Sequence, residues 1–253
     1  MKGRTITSVI LALLISLQPL AGRRILFIGD SVTDGGWGNS GGTDMPSNER
    51  NHWDLNHIYG HSYMMLCAAT IMATDPESGH EFLNRGISGH DLPSLAARWK
   101  TDVIDEHPDI LSVLVGTNDV HYWLEKKSGQ FDSAKWEKTY RSLLDEALSS
   151  NPELSIVLCT PFTARVGRVG DSPDYHQRDS LTHVLSDIVI RISHDYNATT
   201  VRFDSLFSAQ NQVHPTVPMS HWIWDGIHPT AAGHKLMSDL WLKETESLCT
   251  IYK

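Results

Sequence analysis

Five short apolar runs, separated by longer stretches with helical spacing, constrain this chain more than any other feature. The runs lie at 24–28, 81–84, 109–115, 154–160 and 200–204. Several are rich in Val and Ile and too short for helices, so each reads as a strand buried on both faces. Between them, 58–74, 92–105, 133–149, 175–196 and 231–248 have helical patterning. In the third of these, Trp136, Tyr140, Leu143, Leu144, Ala147 and Leu148 recur at spacings of three and four, as one face of an amphipathic helix requires. Strands alternating with helices imply right-handed crossovers and a parallel sheet. No internal repeat or linker breaks the pattern. One α/β domain is expected over 23–253.

Residues 1–22 differ. Lys2 and Arg4 precede an almost wholly apolar stretch from Val9 to Leu17, which reads as a secretory signal peptide with its cleavage site inside 19–22. The expected location is therefore secreted or periplasmic, with no stable membrane association once the leader is removed. The formal net charge of −9 disfavours a nucleic-acid partner, since phosphate binding needs a basic patch. Three cysteines, Cys67, Cys159 and Cys249, cannot form a complete disulfide framework. Cys159 sits in an apolar run and reads as a small core residue.

Small polar clusters follow the strands. The first is Gly29-Asp30-Ser31-Val32-Thr33-Asp34-Gly35, the second Asn84-Arg85-Gly86-Ile87-Ser88-Gly89, the third Gly116-Thr117-Asn118-Asp119. A fourth, Asp225-Gly226-Ile227-His228-Pro229, precedes the last helix. In a parallel sheet all strand ends lie on one edge, so these clusters should converge. Acyl transfer needs a hydroxyl nucleophile, a base, a group that orients the base, and donors for the oxyanion. Ser31, His228 and Asp225 are candidates for the first three. The backbone N–H groups of Ser31 and Gly89 and the Asn118 amide are candidates for the last. Each has a plainer structural alternative. Ser31 or Asp30 fits a helix N-cap, Gly89 fits a turn glycine, Asn118 and Asp119 fit a turn after a strand, and Asp225 and His228 fit a cap before the last helix, with Pro229 in its first turn.

The four clusters resemble, in order, the sequence blocks of the SGNH hydrolases, the GDSL-type esterases and lipases. The resemblance spans roughly 24–241. It implies a flavodoxin-like three-layer α/β/α sandwich with a five-stranded parallel sheet. It also implies a Ser31–His228–Asp225 triad working through an acyl-enzyme, and an oxyanion hole of Ser31, Gly89 and Asn118, with Gly86 competing with Gly89. No cofactor is expected.

Export and polar loops at 34–56, 163–174 and 208–225 point toward the secreted carbohydrate esterases of that family. The expected reaction is removal of short acyl groups, above all acetyl, from a small-molecule or polysaccharide ester. Alternatives are a lysophospholipase or thioesterase, a carbohydrate-binding protein that has lost turnover, and an acyltransferase. Trp222 and Trp224, as aromatic platforms for a sugar, and Asp30 beside the nucleophile are the candidate substrate-binding residues. Arg165 and Arg168 read as solvated loop charges. His52, His57 and His61, near Asp54, lack the spacing of a closed metal site, and no metal is expected.

Overall fold

The computed structural model describes residues 22–40, 44–126 and 131–249. Apart from Gly22, the leader reading of 1–22 lies outside the described residues. No helix among those described is long and apolar enough to cross a membrane.

β1 (Arg24–Gly29) leads through α1 (Ser31–Asp34) and a long loop to α2 (Tyr63–Thr74). β2 (Glu81–Gly86), α3 (Leu92–Trp99), β3 (Ile110–Leu114), α4 (Thr117–Lys126) and α5 (Ser133–Ser150) follow. Then come β4 (Ser155–Cys159), α6 (Gly167–Gly170), α7 (Tyr175–Asp195), β5 (Thr199–Val201), α8 (Phe203–Val213), α9 (Ala231–Glu244) and α10 (Glu246–Cys249). All neighbouring strands pair in parallel, in the order β2-β1-β3-β4-β5.

The apolar runs follow from that architecture. Successive side chains of a strand point to opposite faces. In β1, Ile25 and Phe27 face the layer of α2, α8 and α9, while Leu26 and Ile28 face α3, α5 and α7. Both faces are covered, so the strand must be apolar at every interior position. The three-layer sandwich is thus the expected one.

The order reverses direction between β1 and β3, which opens a crevice at their carboxyl ends where ligands bind in open α/β sheets. Ser31 follows β1 and Asn118 follows β3.

Several boundaries differ from expectation. Residues 117–126 form α4, so Asn118 and Asp119 lie in its first turn rather than in a turn alone. The run at 200–204 is strand only to Val201; Phe203 opens α8, whose Phe203 and Phe207, four apart, share a buried face. Residues read as loop from 208 are therefore helical as far as Val213. The helix expected from residue 58 starts at Tyr63, and α3 runs on through a π-helical turn at Lys100–Ile104.

A buried ion pair ties the loop after α1 to the sheet edge. Arg50 Nη1 donates to Asp34 Oδ1 at 2.7 Å, with both side chains fully buried. Asp34 Oδ2 also accepts from the N–H of Ser88 at 2.9 Å, which holds the loop after β2 against α1. Removing one member leaves an uncompensated buried charge. Arg50→Met is expected to destabilise the fold by about 3–5 kcal/mol, read as a lowered urea midpoint. An unchanged midpoint would contradict this account of the loop.

Candidate active site

Asp30 and Ser31 are both good helix caps, and the structure decides between them. Asp30 takes the N-cap position in extended geometry, and its Oδ1 accepts from the N–H of Val32 at 2.9 Å. Ser31 is therefore the first residue inside α1, and its hydroxyl is not used for capping. That hydroxyl meets His228 Nε2 at 2.9 Å. As the first helical residue, Ser31 also has a backbone N–H with no acceptor inside the helix.

His228 and Asp225 lie on a tight loop between α8 and α9. Ile223 bridges Pro229, and the N–H of Trp224 donates to the carbonyl of His228 at 3.1 Å. Gly226 has φ +98, and a Cβ there would come within 2.5 Å of Val169 Cβ, so the turn favours glycine. Pro229 sits in this bridge rather than in a helical turn. Thr230 caps α9 instead, its Oγ1 accepting from Gly233 N–H at 3.2 Å.

Asp225 is 3% exposed. Its Oδ1 accepts from the N–H groups of Ile227 at 3.0 Å and His228 at 2.8 Å. Its Oδ2 is left for the imidazole Nδ1, at 2.8 Å. Burial works to raise this carboxyl, but the His228 ring and the two N–H donors outweigh it and hold it down at about 2. Asp225 in turn raises His228 above its ordinary range, against the opposing effect of burial. Arg168 is largely exposed, and its guanidinium lies 3.9 Å from Asp225 Oδ2.

The second cluster ends β2 and turns back. The N–H of His90 donates to the carbonyl of Ile87 at 3.2 Å, and Gly89 occupies the turn with φ +80. The N–H groups of Gly86 and Gly89 differ in what they meet. Gly86 N–H already donates to Asn84 Oδ1 at 2.9 Å. Gly89 is fixed from its other end, its carbonyl accepting from the Tyr122 hydroxyl at 2.7 Å.

Asn118 joins this turn to the start of α1. Its amide donates to the carbonyl of His90 at 3.1 Å and contacts Asp30 Oδ2 at 3.5 Å, at the outer limit of a hydrogen bond. Asp119 buttresses the same junction, accepting from Leu92 N–H at 3.1 Å and from the Trp136 indole at 2.9 Å.

The remaining candidates separate. Asp30 is 2% exposed and engaged as a cap, so its carboxylate lies beneath Ser31. Burial pushes its carboxyl up to about 6, with the Val32 N–H opposing. Trp222 is half-buried and packs against the core. Trp224 is 61% exposed and lies over His228, ring centroids 6.2 Å apart and planes 25° from parallel. His52 and His57 contact Ser47 and Asp54 separately, and no group of ligands arranged for a metal occurs among the described residues. All three cysteines are free and buried, and burial pushes Cys159 up to about 12, far from thiolate chemistry.

Sequence reasoning missed Arg98. This residue donates to the carbonyls of Arg85 at 2.7 Å and Gly29 at 3.2 Å, to His90 Nδ1 at 3.1 Å, and to Asp102 at 2.7 Å. It clamps the ends of β1 and β2 together. Its i,i+4 spacing to Asp102 on a helix was the available signal.

Known proteins resemble this chain along most of its length. The family model for GDSL-like lipases and acylhydrolases matches residues 27–236. An acetylxylan esterase from Geobacillus stearothermophilus is 32% identical over 233 residues, covering 88% of this chain and 94% of that protein. A crystal structure of that esterase superposes with a TM-score of 0.67 at 30% identity, over 90% of this chain and 96% of the other. A GDSL-like protein of known structure from Parabacteroides merdae gives a TM-score of 0.75 at 27% identity, over 93% of this chain and 99% of its own. The chain belongs to the GDSL-like lipase/acylhydrolase family and is a carboxylic ester hydrolase.

Proposed function

We propose that the protein removes acetyl groups from carbohydrate through an acyl-enzyme on Ser31. The observation that carries this reading is the continuous hydrogen-bonded path from Ser31 Oγ through His228 to Asp225. Asp225 Oδ2 accepts from Nδ1–H, which leaves the Nε2 lone pair facing the serine hydroxyl. Ser31 attacks the acyl carbon as Nε2 takes its proton. The charge that develops on the carbonyl oxygen falls to Ser31 N–H, Gly89 N–H and the Asn118 amide. The alcohol leaves with the proton from Nε2, and water then repeats the cycle on the acetyl-serine.

The Asn118 amide has one hydrogen committed to the His90 carbonyl. The other has only the long contact to Asp30, so a developing oxyanion offers it a better acceptor. Asn118→Ala is expected to lower kcat by about 10²–10³-fold with little change in KM. A loss confined to KM would remove Asn118 from the oxyanion role.

The carbohydrate part of the proposal draws on the acetylxylan esterase relative and on Trp224. That indole is exposed beside the base and offers a flat apolar face to a sugar ring. Solved catalytic mutants of the Geobacillus esterase replace a serine and an aspartate by alanine, the residue types proposed here at 31 and 225. Export, read from 1–22, suits a polymer outside the cell. Acetate release from a panel of acetylated polysaccharides, against octanoate and lysophospholipid esters, tests the reading. Acetylated xylan is expected among the best substrates, and preference for a long acyl chain would overturn it.

A further inference from the structure

A cavity of about 380 Å³ opens beside the oxyanion turn, lined among others by Ser47, Asn48, Ile87, His90, Ala97 and Arg98. Small-ligand sites typically run to roughly 300–1,000 Å³, so this one exceeds what an acetyl group needs. Ile87 and His90 are the first and last residues of the turn that presents Gly89 N–H, and the His90 carbonyl holds the Asn118 amide. The cavity therefore shares the turn that carries Gly89, adjoining the site through Ile87 and His90.

The chemistry of the lining is set by Arg98. Its Nε–H donates to His90 Nδ1 at 3.1 Å. A guanidinium cannot give up that proton, so Nδ1 must accept. The single ring proton is then on Nε2. Burial and the Arg98 charge both lower His90, and Arg50 adds to them, while Asp91 and Asp44 pull the other way. The Nε2–H has no acceptor among the described residues. Asp102, on the same wall, is neutralised by Arg98 and also accepts from the Ser47 hydroxyl at 2.7 Å. The cavity thus offers a neutral donor beside the exposed methyl of Ala97 and the ring of Pro46, with the Ser94 and Thr101 hydroxyls and the Asp44 carboxylate also on its lining. That combination suits a ring with hydroxyls at its edge and C–H groups on its faces better than it suits an anion or an alkyl chain.

We propose that this cavity is a sugar subsite, in which His90 Nε2–H donates to an oxygen of the pyranose ring of the substrate. The proposal rests on the carbohydrate reading above.

The test compares acetylated xylo-oligosaccharides with 4-nitrophenyl acetate, which has no sugar to place. In His90→Phe the ratio of kcat/KM for oligosaccharide over 4-nitrophenyl acetate is expected to fall up to about tenfold, the value of one neutral hydrogen bond. His90→Gln, which keeps an N–H near the Nε2 position, should recover most of that ratio. Ala97→Trp fills the cavity from an exposed position on α3. It should raise the oligosaccharide KM while leaving 4-nitrophenyl acetate hydrolysis unchanged.

Equal losses on both substrates in His90→Phe would show that His90 only props Arg98 and the turn, and would overturn the inference alone. So would an unchanged oligosaccharide KM in Ala97→Trp. A wild-type enzyme with no preference for the oligosaccharide would overturn the carbohydrate reading and the inference with it.

Discussion

Ser31→Ala is expected to lower kcat on the order of 10⁶-fold, the scale of nucleophile loss in a comparable triad enzyme, and to leave the fold intact. Both halves follow from the cap. Asp30, not Ser31, accepts from the first turn of α1, so the Ser31 hydroxyl contributes only its bond to His228. If Ser31 were the cap, the same change would cost about 1 kcal/mol of stability. The expected result is therefore a silent enzyme with an unshifted melting curve. A melting loss with activity largely kept would restore the capping role and remove the nucleophile.

Asp225→Asn should cost about 10⁴-fold in kcat, as the equivalent change does in a serine protease triad. The carboxylate accepts a hydrogen bond from Nδ1–H, which in the proposed mechanism keeps the Nε2 lone pair facing Ser31; an amide can donate instead and select the wrong tautomer. The pH dependence carries an independent signature. In the proposed mechanism His228 acts as base in its neutral form, and its hydrogen bond to Asp225 raises it above its ordinary value of 6.5. Wild-type activity is therefore expected to fall as pH drops through a value above that of an ordinary histidine. Asp225→Asn removes the main cause of that shift while burial, which lowers His228, remains. The acid limb of the residual activity should move to lower pH. A limb that stays in place would mean that another group sets it.

The sheet and its covering layers were legible in the apolar runs, because strands buried on both faces must be apolar throughout. The clusters at 31, 89 and 118 converge because a parallel sheet delivers strand ends to one edge, whereas 225–228 follows α8 and reaches Ser31 through the fold of its own loop. What the sequence left open turned on hydrogen-bond accounting between near neighbours. Asp30 and Ser31 are equally good caps on paper, and Gly86 and Gly89 are equally good close-approach residues. Only the folded backbone shows that Asp30 holds Val32 N–H and that Gly86 N–H is spent on Asn84.

α4 and α8 escaped notice for a different reason. α4 offers ten residues with few apolar positions, and Phe203 reads equally well as the end of a strand or the start of a helix. The Asp34–Arg50 pair depends on how a long loop folds back, which periodicity does not address. Trp222 and Trp224, two residues apart, looked interchangeable as sugar platforms. The hairpin-like bridge at Ile223 sends one toward the core and the other over His228.

The covalent intermediate is the most direct test of the mechanism. Wild-type protein would be acid-quenched during turnover of 4-nitrophenyl acetate, digested, and its peptides weighed by mass spectrometry. One acetyl group is expected on the peptide containing Ser31, on the Ser31 hydroxyl, and none in Ser31→Ala. Acetate release at wild-type rate by Ser31→Ala, or the label on another side chain, would contradict the account.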